Sequence, residues 1–168
     1  KDKVPYEKLR EIDQYMLVKL NNLIKTVRNG YETYNFMDVY HALNHFVAED
    51  LSAFYLDFAK DVLYIEAADN LVRRSMQTVI YECLVSLLKM LSPILPHTAD
   101  EAWVYVKGVE EESVQLTDIP EYEELPNADE LEKKWTEFMK LRDEVLKALA
   151  EARNEKIIGK SLEAKVTL

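Results

Sequence analysis

The sequence has few of the residues that interrupt or cross-link a chain, and it has no long apolar run. Among 168 residues there are three glycines, five prolines and one cysteine, Cys83. So few turn-forming residues argue against a barrel or sandwich, and a single cysteine permits no internal disulfide, which fits a reducing compartment. No apolar run approaches the roughly 20 residues of a membrane span, and residues 1–10 are too polar for a signal peptide. We expect a cytoplasmic helical protein without membrane contact.

Lysine and arginine are also outnumbered by acidic residues, but the excess of acidic residues lies in one segment. The net charge is −10, and residues 110–132 hold ten acidic residues with no lysine or arginine, leaving 21 residues of each sign elsewhere. The net charge therefore describes one segment, which we predict to be a long acidic loop over residues 107–128. A basic face elsewhere in the chain is compatible with this distribution.

Apolar residues recur every three or four positions over most of the chain, which is the period of an amphipathic helix. The pattern predicts helices over about 6–29, 35–64, 71–91, 98–106 and 129–154. Asn70 is the predicted cap of the third helix, and Pro93 and Pro96 end it because proline stops a helix. Thr98 and Glu101 predict a capping box at the start of the fourth.

Four long helices with short connections predict an all-α, up-and-down helical bundle. Ser113–Thr117 alternates weakly and is a candidate extended segment, and residues 162–168 alternate apolar with polar residues, which predicts a short C-terminal strand. An isolated strand is not self-sufficient. We therefore expect residues 1–155 to form the bundle and residues 156–168 to begin a junction subdomain that continues beyond this chain.

Two fragments resemble chemical motifs and one cysteine could be a nucleophile, but each is better explained structurally. Gly159-Lys160-Ser161 resembles the end of a phosphate-binding loop, but the required glycine position holds Asn154. His41 and His45 have the spacing of a zinc pair without a third ligand nearby in sequence. Cys83 lies in an apolar stretch, which predicts a buried structural thiol. We therefore predict no catalytic, cofactor-binding or metal-binding residue in this chain.

Two basic clusters remain as candidate phosphate contacts. Arg73 and Arg74 follow the predicted helix start at Asn70, where cations oppose the helix dipole, which hints at an external use. Arg153, Lys156 and Lys160 surround the end of the last helix, where the dipole favours them. Guanidinium groups bind phosphate and stack on bases, while a solvated face with internal ion pairs is the equally weighted alternative.

The proline corner, Ser92-Pro-Ile-Leu-Pro-His-Thr-Ala-Asp-Glu-Ala-Trp103, resembles a corner in the anticodon-binding helical domain of class I aminoacyl-tRNA synthetases. Residues 54–61, 73–78 and especially 153–166 are similar to the bacterial isoleucyl enzymes of that class. The resemblance implies a non-catalytic internal excerpt of an isoleucine–tRNA ligase that binds the anticodon stem and loop of its tRNA. Its candidate contacts are Arg73, Arg74, Arg153, Lys156 and Lys160.

The resemblance also implies partners outside this chain. The whole ligase would use ATP with magnesium to attach isoleucine to its tRNA, in catalytic and editing domains whose motifs are absent here, and would carry zinc in a C-terminal module. The alternative from the residues alone is a stand-alone helical protein-interaction or scaffold domain, with the acidic loop as its docking element.

Overall fold

The computed structural model describes residues 2–167 of the chain. The chain divides into two compact units, Lys1–Pro126 and Asn127–Leu168, called unit 1 and unit 2 below. Division by compactness does not test the domain boundary predicted at residues 155–156, which stays a prediction. Within the described residues, no helix is long and apolar enough to cross a membrane.

Unit 1 is helical, which confirms the all-α prediction for this part of the chain. Its helices are α1 (Glu11–Glu32), α2 (Phe36–His45), α3 (Asp57–Ile65), α4 (Leu71–Leu91) and α5 (Pro96–Trp103). An eleven-residue π-helical segment, Phe46–Leu56, joins α2 to α3 without a break in the helix. The first helix starts later than predicted, because Tyr6–Lys8 forms a separate 3-10 turn.

Helix α1 lies in the core of unit 1 and packs against both α2 and α4. Its apolar residues recur at the helical period on the buried side, as predicted: Met16, Leu20, Leu23 and Val27. One charged side chain, Asp13, is also completely buried. Burial of a charge is tolerated only when it is paired and hydrogen-bonded, so Asp13 requires partners.

Asp13 has those partners on two sides. The Arg10 guanidinium donates to both of its carboxylate oxygens, at 2.7 and 3.0 Å, and the Tyr55 hydroxyl donates to Oδ1 at 2.6 Å. Burial, with Asp13 beside it, raises the pKa of Tyr55. The network therefore ties the start of α1 to the π-helical segment through a fully satisfied buried carboxylate.

The π-helical segment changes which face of its helix is buried. Val39, Leu43 and Phe46 are buried, as the helical stripe predicts. After Phe46 the buried positions are Phe54, which the stripe predicts, with Tyr55 and then Ala59, which it does not. The other predicted members are partly buried or exposed: Leu51, Phe58, Val62 and Ile65. A π-helix bonds residue i to i+5 and so winds more residues into each turn, which rotates every later residue about the axis.

The ends of α4 match the prediction. Asn70 caps the helix, its side-chain oxygen accepting from the Val72 amide at 2.7 Å, an interaction worth about 1 kcal/mol. At the other end, the Ile94 and Leu95 amides both donate to the carbonyl of Leu91 as the chain turns through the proline corner.

The predicted capping box of Thr98 and Glu101 is wrong. Helix α5 already begins at Pro96, and its N-cap residue, Leu95, has no side-chain cap. Proline at the first helical position needs no amide partner and has its φ angle pre-set for a helix. Pro96 therefore starts the helix two residues before the threonine that was expected to cap it.

The predicted acidic loop is an ordered segment held to the helices of unit 1. Asp100 accepts from the Ser113 hydroxyl at 2.5 Å and the Val114 amide at 3.1 Å, and the Trp103 indole donates to the Glu111 carbonyl at 2.9 Å. Val114–Leu116 is a 3-10 turn, so the candidate extended segment Ser113–Thr117 is wrong. Val114 is buried against Trp103, which explains why this short stretch is apolar.

The same loop continues along α1. Arg28 donates to the carbonyls of Ile119 and Pro120, at 3.1 and 3.2 Å, and the Asn21 side chain bonds both backbone groups of Glu123. The backbone of the loop is therefore held in place by these hydrogen bonds, and its carboxylates have fixed positions along α1.

Unit 2 consists of α6 (Ala128–Asn154) followed by a short tail. The predicted C-terminal strand is wrong for the described residues, because Ser161–Glu163 forms a 3-10 turn and residues 164–167 form no strand. An alternating pattern produces a strand only when a neighbouring strand supplies hydrogen bonds, and none is present in the described part of unit 2. Leu168, the last residue of the predicted strand, lies outside the described residues.

Candidate nucleic-acid interface

The first predicted cation pair, Arg73 and Arg74, lies in the first turn of α4 and is half-buried. Arg73 donates to the Glu66 carbonyl at 2.8 Å, and Arg74 donates to the Ala68 carbonyl at 3.2 Å and to the Asp2 carboxylate at 3.4 Å. Both guanidinium groups thus satisfy carbonyls of the turn that follows α3, where the last helix carbonyls lack helical partners. This internal role accounts for arginines at a helix N-terminus, where the dipole disfavours them.

A groove beside the predicted candidate Arg74 adds two lysines that sequence reasoning missed, Lys3 and Lys107. It has a volume of about 410 Å³ and is lined by Lys3, Arg74, Tyr81 and Lys107 among others. The Lys3 ammonium lies 6.0 Å from the centre of the Tyr81 ring, and the Tyr81 hydroxyl donates to the Lys107 carbonyl at 3.0 Å. Because these residues are far apart in sequence, no local pattern could have predicted the groove.

An exposed aromatic side chain lies at the turn between α3 and α4. Tyr64 is 88% exposed, and Ile65 beside it is 79% exposed. Exposed aromatic rings near arginines are typical platforms for unstacked bases. The feature of the sequence that could have predicted this exposure is the turn at residues 66–70. Because α3 ends just after Tyr64, no residue one turn further along the helix packs against its ring.

The second predicted cluster lies in unit 2, where α6 ends. Arg153, Lys156 and Lys160 are all exposed, and none of them forms an ion pair with any residue within 2–167. The Glu163 carboxylate is instead used to fix the tail, accepting from the amides of Gly159 and Lys160 at 2.8 and 3.2 Å. The structure thus gathers three cations, with their side chains directed to solvent, at one helix end.

Lys156 has an unusual backbone conformation. Its φ angle is +59°, in the left-handed region. Its amide donates to the Arg153 carbonyl at 3.0 Å and the next amide, of Ile157, donates to the Ala152 carbonyl at 2.9 Å. These two bonds define a Schellman motif, in which glycine is the usual residue at the left-handed position. A lysine is therefore held at a position where it costs stability.

The structure therefore brings Arg73 and Arg74 together in unit 1, and Arg153, Lys156 and Lys160 together in unit 2. The unit 1 pair is hydrogen-bonded within the protein, whereas the unit 2 cluster is exposed. Of the two clusters, the one at the end of α6 therefore has the cations that an anion can most easily reach.

Comparison with known proteins identifies the class of domain. A family model described as the anticodon-binding domain of tRNA ligase matches residues 13–168. The chain therefore belongs to this family, a finding that supports the RNA-binding interpretation over the stand-alone scaffold.

The most informative relatives are isoleucine–tRNA ligases. Those of Bacillus mycoides (strain KBAB4), Bacillus cereus (strain B4264) and Bacillus anthracis (strain A0248) are each 62% identical over 165 residues. The match covers 98% of this chain but 18% of each relative. The chain thus corresponds to a fragment of these ligases and contains their anticodon-binding domain.

Proposed function

We propose that this chain binds the anticodon stem and loop of an isoleucine-specific tRNA within a longer cytoplasmic isoleucine–tRNA ligase. The observation that carries the proposal is the family match over residues 13–168 together with 62% identity to isoleucine–tRNA ligases. In this proposal the ATP, magnesium and zinc chemistry and the catalytic and editing domains belong to the remainder of the ligase.

The proposed mechanism is positional. The helices form a rigid support, and the cations fix the register of the RNA by contacting phosphates, which carry no sequence information themselves. Unstacked anticodon bases then supply specificity by stacking and edge recognition. Correct docking of the anticodon end would place the distant acceptor end of the tRNA at the catalytic domain.

Arg153, Lys156 and Lys160 are the contacts that the geometry favours, since they are exposed and unpaired within the described residues. Arg73 and Arg74 remain candidates in a secondary role, because an RNA phosphate would have to share their guanidinium groups with the carbonyls of Glu66 and Ala68. The acidic loop, fixed along α1, would repel RNA from that face of unit 1.

The test is a titration of the chain with isoleucine tRNA and with a mismatched tRNA at two salt concentrations. The variant Arg153→Ala with Lys156→Ala should weaken binding of the isoleucine tRNA at least about tenfold and lower the slope of log affinity against log salt by about 1.5, as expected for two lost phosphate contacts. Lys140→Ala with Lys147→Ala is the matched control, because it removes the same charge from exposed positions of α6.

The outcomes separate the site from the function. Equal loss in both double variants would show that only net charge matters and would remove Arg153 and Lys156 from the proposal. Absence of any preference for isoleucine tRNA, or binding that ignores salt, would contradict the proposed function itself.

A further inference from the structure

The turn between α1 and α2 exposes a group of large apolar side chains. Tyr34, Phe36, Met37 and Tyr40 are between 53% and 79% exposed, and we call them the aromatic end face. The Phe36 ring centre lies 6.2 Å from that of Tyr34, in an edge-to-face arrangement. Single exposed apolar residues are ordinary, but four large ones within seven positions of one turn are more than a globular surface usually exposes, which makes this turn a candidate interaction surface.

The face is fixed in place by the helices beneath it. The hydroxyl of Tyr31 donates to the Met90 carbonyl at 2.7 Å, which joins the end of α1 to the end of α4. Gly30 lets α1 and α2 approach closely, since an added Cβ there would lie 2.5 Å from Val39 Cγ2. The aromatic end face is therefore a preformed surface of unit 1 rather than a loop that orders on contact.

Tyr34 is held in a conformation that disfavours its side chain. Its φ angle is +57°, and its amide and the next one, of Asn35, donate to the carbonyls of Tyr31 and Gly30 at 3.3 and 2.8 Å. This is a Schellman motif at the end of α1, with tyrosine where glycine is favoured. The ring is 79% exposed, so burial within the protein does not offset this strain. Strained residues that persist cluster at functional surfaces.

The charges beside the face argue against two occupants. Glu32 and Asp38 beside the face are exposed, and residues 29–45 around it contain no lysine or arginine. RNA phosphates would be repelled here, because nucleic-acid affinity depends on neutralising cations. A second copy of the chain, placed by two-fold symmetry, would set the same acidic rim against itself.

The remaining occupant is a protein surface of complementary charge. The chain spans 18% of the length of its relatives, so most of such a ligase lies outside this segment. We infer that the aromatic end face docks on another domain of the same ligase, through an apolar surface rimmed by lysine or arginine. This inference rests on the proposed function in taking its partner from the remainder of that ligase.

Hydroxyl-radical footprinting tests the inference by comparing the isolated chain with the full-length ligase that contains it. Oxidation of Tyr34, Phe36 and Met37 should be at least fivefold slower in the full-length protein. In the full-length Phe36→Ser/Tyr40→Ser variant, Met37 should oxidise at the rate found in the isolated chain. The matched control is Tyr64→Ser, which removes an exposed ring near the end of α3 and should leave Met37 protected.

Three results would overturn the inference. Equal oxidation of Met37 in the isolated chain and the full-length ligase would show that no domain covers the face. Protection that grows with the concentration of the isolated chain would indicate a second copy, and protection of the isolated chain by tRNA would indicate RNA. Failure of the isolated chain to select isoleucine tRNA would count against the proposed function, while leaving the footprint comparison unaffected because it uses no RNA.

Discussion

Units 1 and 2 differ sharply in charge. Residues 1–126 hold 12 lysines and arginines against 22 acidic residues, whereas residues 127–168 hold nine of each. The whole net charge of −10 therefore belongs to unit 1. Interpreting the overall charge as a property of the protein would miss a neutral unit that carries exposed cations at the end of α6.

The two units also use their cations differently. In unit 1, Arg10 bonds a buried carboxylate, Lys19 pairs with Asp50 at 3.1 Å and Arg28 bonds loop carbonyls. In unit 2, Arg153 and Lys156 make no such bond with any described residue. The comparison teaches that these three cations of unit 1 hold parts of its fold together, whereas the cations at the end of α6 are exposed to solvent.

The largest test of this comparison is removal of the buried carboxylate in unit 1. Asp13→Ala leaves the Arg10 cation and the Tyr55 hydroxyl without their partner, which should lower the free energy of unfolding by about 3 kcal/mol. Urea denaturation measures the loss. Asp143→Ala in α6 is the control, since that carboxylate is 72% exposed and should change stability by less than about 0.5 kcal/mol. Similar losses in both variants would contradict the assignment of folding roles to unit 1.

At alkaline pH, unit 1 alone contributes thiol and phenol groups to the titration, because the cysteine and all ten tyrosines lie in residues 1–126. Burial raises the pKa of the Cys83 thiol from 9.0 to about 12, with a smaller contribution from Glu82. The folded state thus keeps a proton that the unfolded state releases above pH 9, so the free energy of unfolding should fall as pH rises from 9 towards 12.

For one such proton the expected slope is about 1 kcal/mol per pH unit. Urea denaturation at pH 8, 9, 10 and 11 measures it. Cys83→Ala should show a shallower fall above pH 9 than the parent chain, even if its stability at pH 8 is lower. Identical slopes in the two proteins would mean that the thiol does not contribute to the pH dependence.

Several features of this fold were accessible from sequence, for identifiable reasons. The bounds of α4 were predicted correctly because Asn70 and Pro93 mark its ends locally. The π-helical segment Phe46–Leu56 was not, because nothing in a local apolar pattern distinguishes i→i+5 from i→i+4 bonding. The C-terminal strand failed for a related reason, since alternation says nothing about whether a partner strand is present.

In the candidate site, too, local features could be predicted from sequence and long-range contacts could not. Arginines 73 and 74 were found as a cluster, but their bonds to the turn after α3 depend on where a different helix ends. The groove lined by Lys3, Arg74 and Lys107 joins three distant parts of the sequence. Composition finds the cations; only tertiary structure decides which of them a ligand can reach.

Neutralising the acidic loop of unit 1 should raise the affinity for tRNA, whereas removing the cations of unit 2 should lower it. Glu110→Gln, Glu111→Gln and Glu112→Gln together remove three exposed negative charges. Affinity for isoleucine tRNA should rise about two- to fivefold at low salt and lose that gain at 0.5 M salt, where charges are screened within a few ångströms. An unchanged affinity at low salt would show that the loop does not repel RNA.

The smallest expected effect concerns Lys156, where stability and binding should move in opposite directions. Lys156→Gly relieves the left-handed conformation and should raise the free energy of unfolding by about 0.5–1 kcal/mol, while affinity for tRNA falls about two- to threefold through one lost phosphate contact. Lys160→Gly is the matched control, because that residue has a φ angle of −130° and loses the same charge without relief of strain. It should weaken binding and bring no gain in stability. If Lys156→Gly stabilised the protein and left binding unchanged, Lys156 would not contact RNA. The strained backbone at Lys156 would then no longer support the end of α6 as the RNA contact.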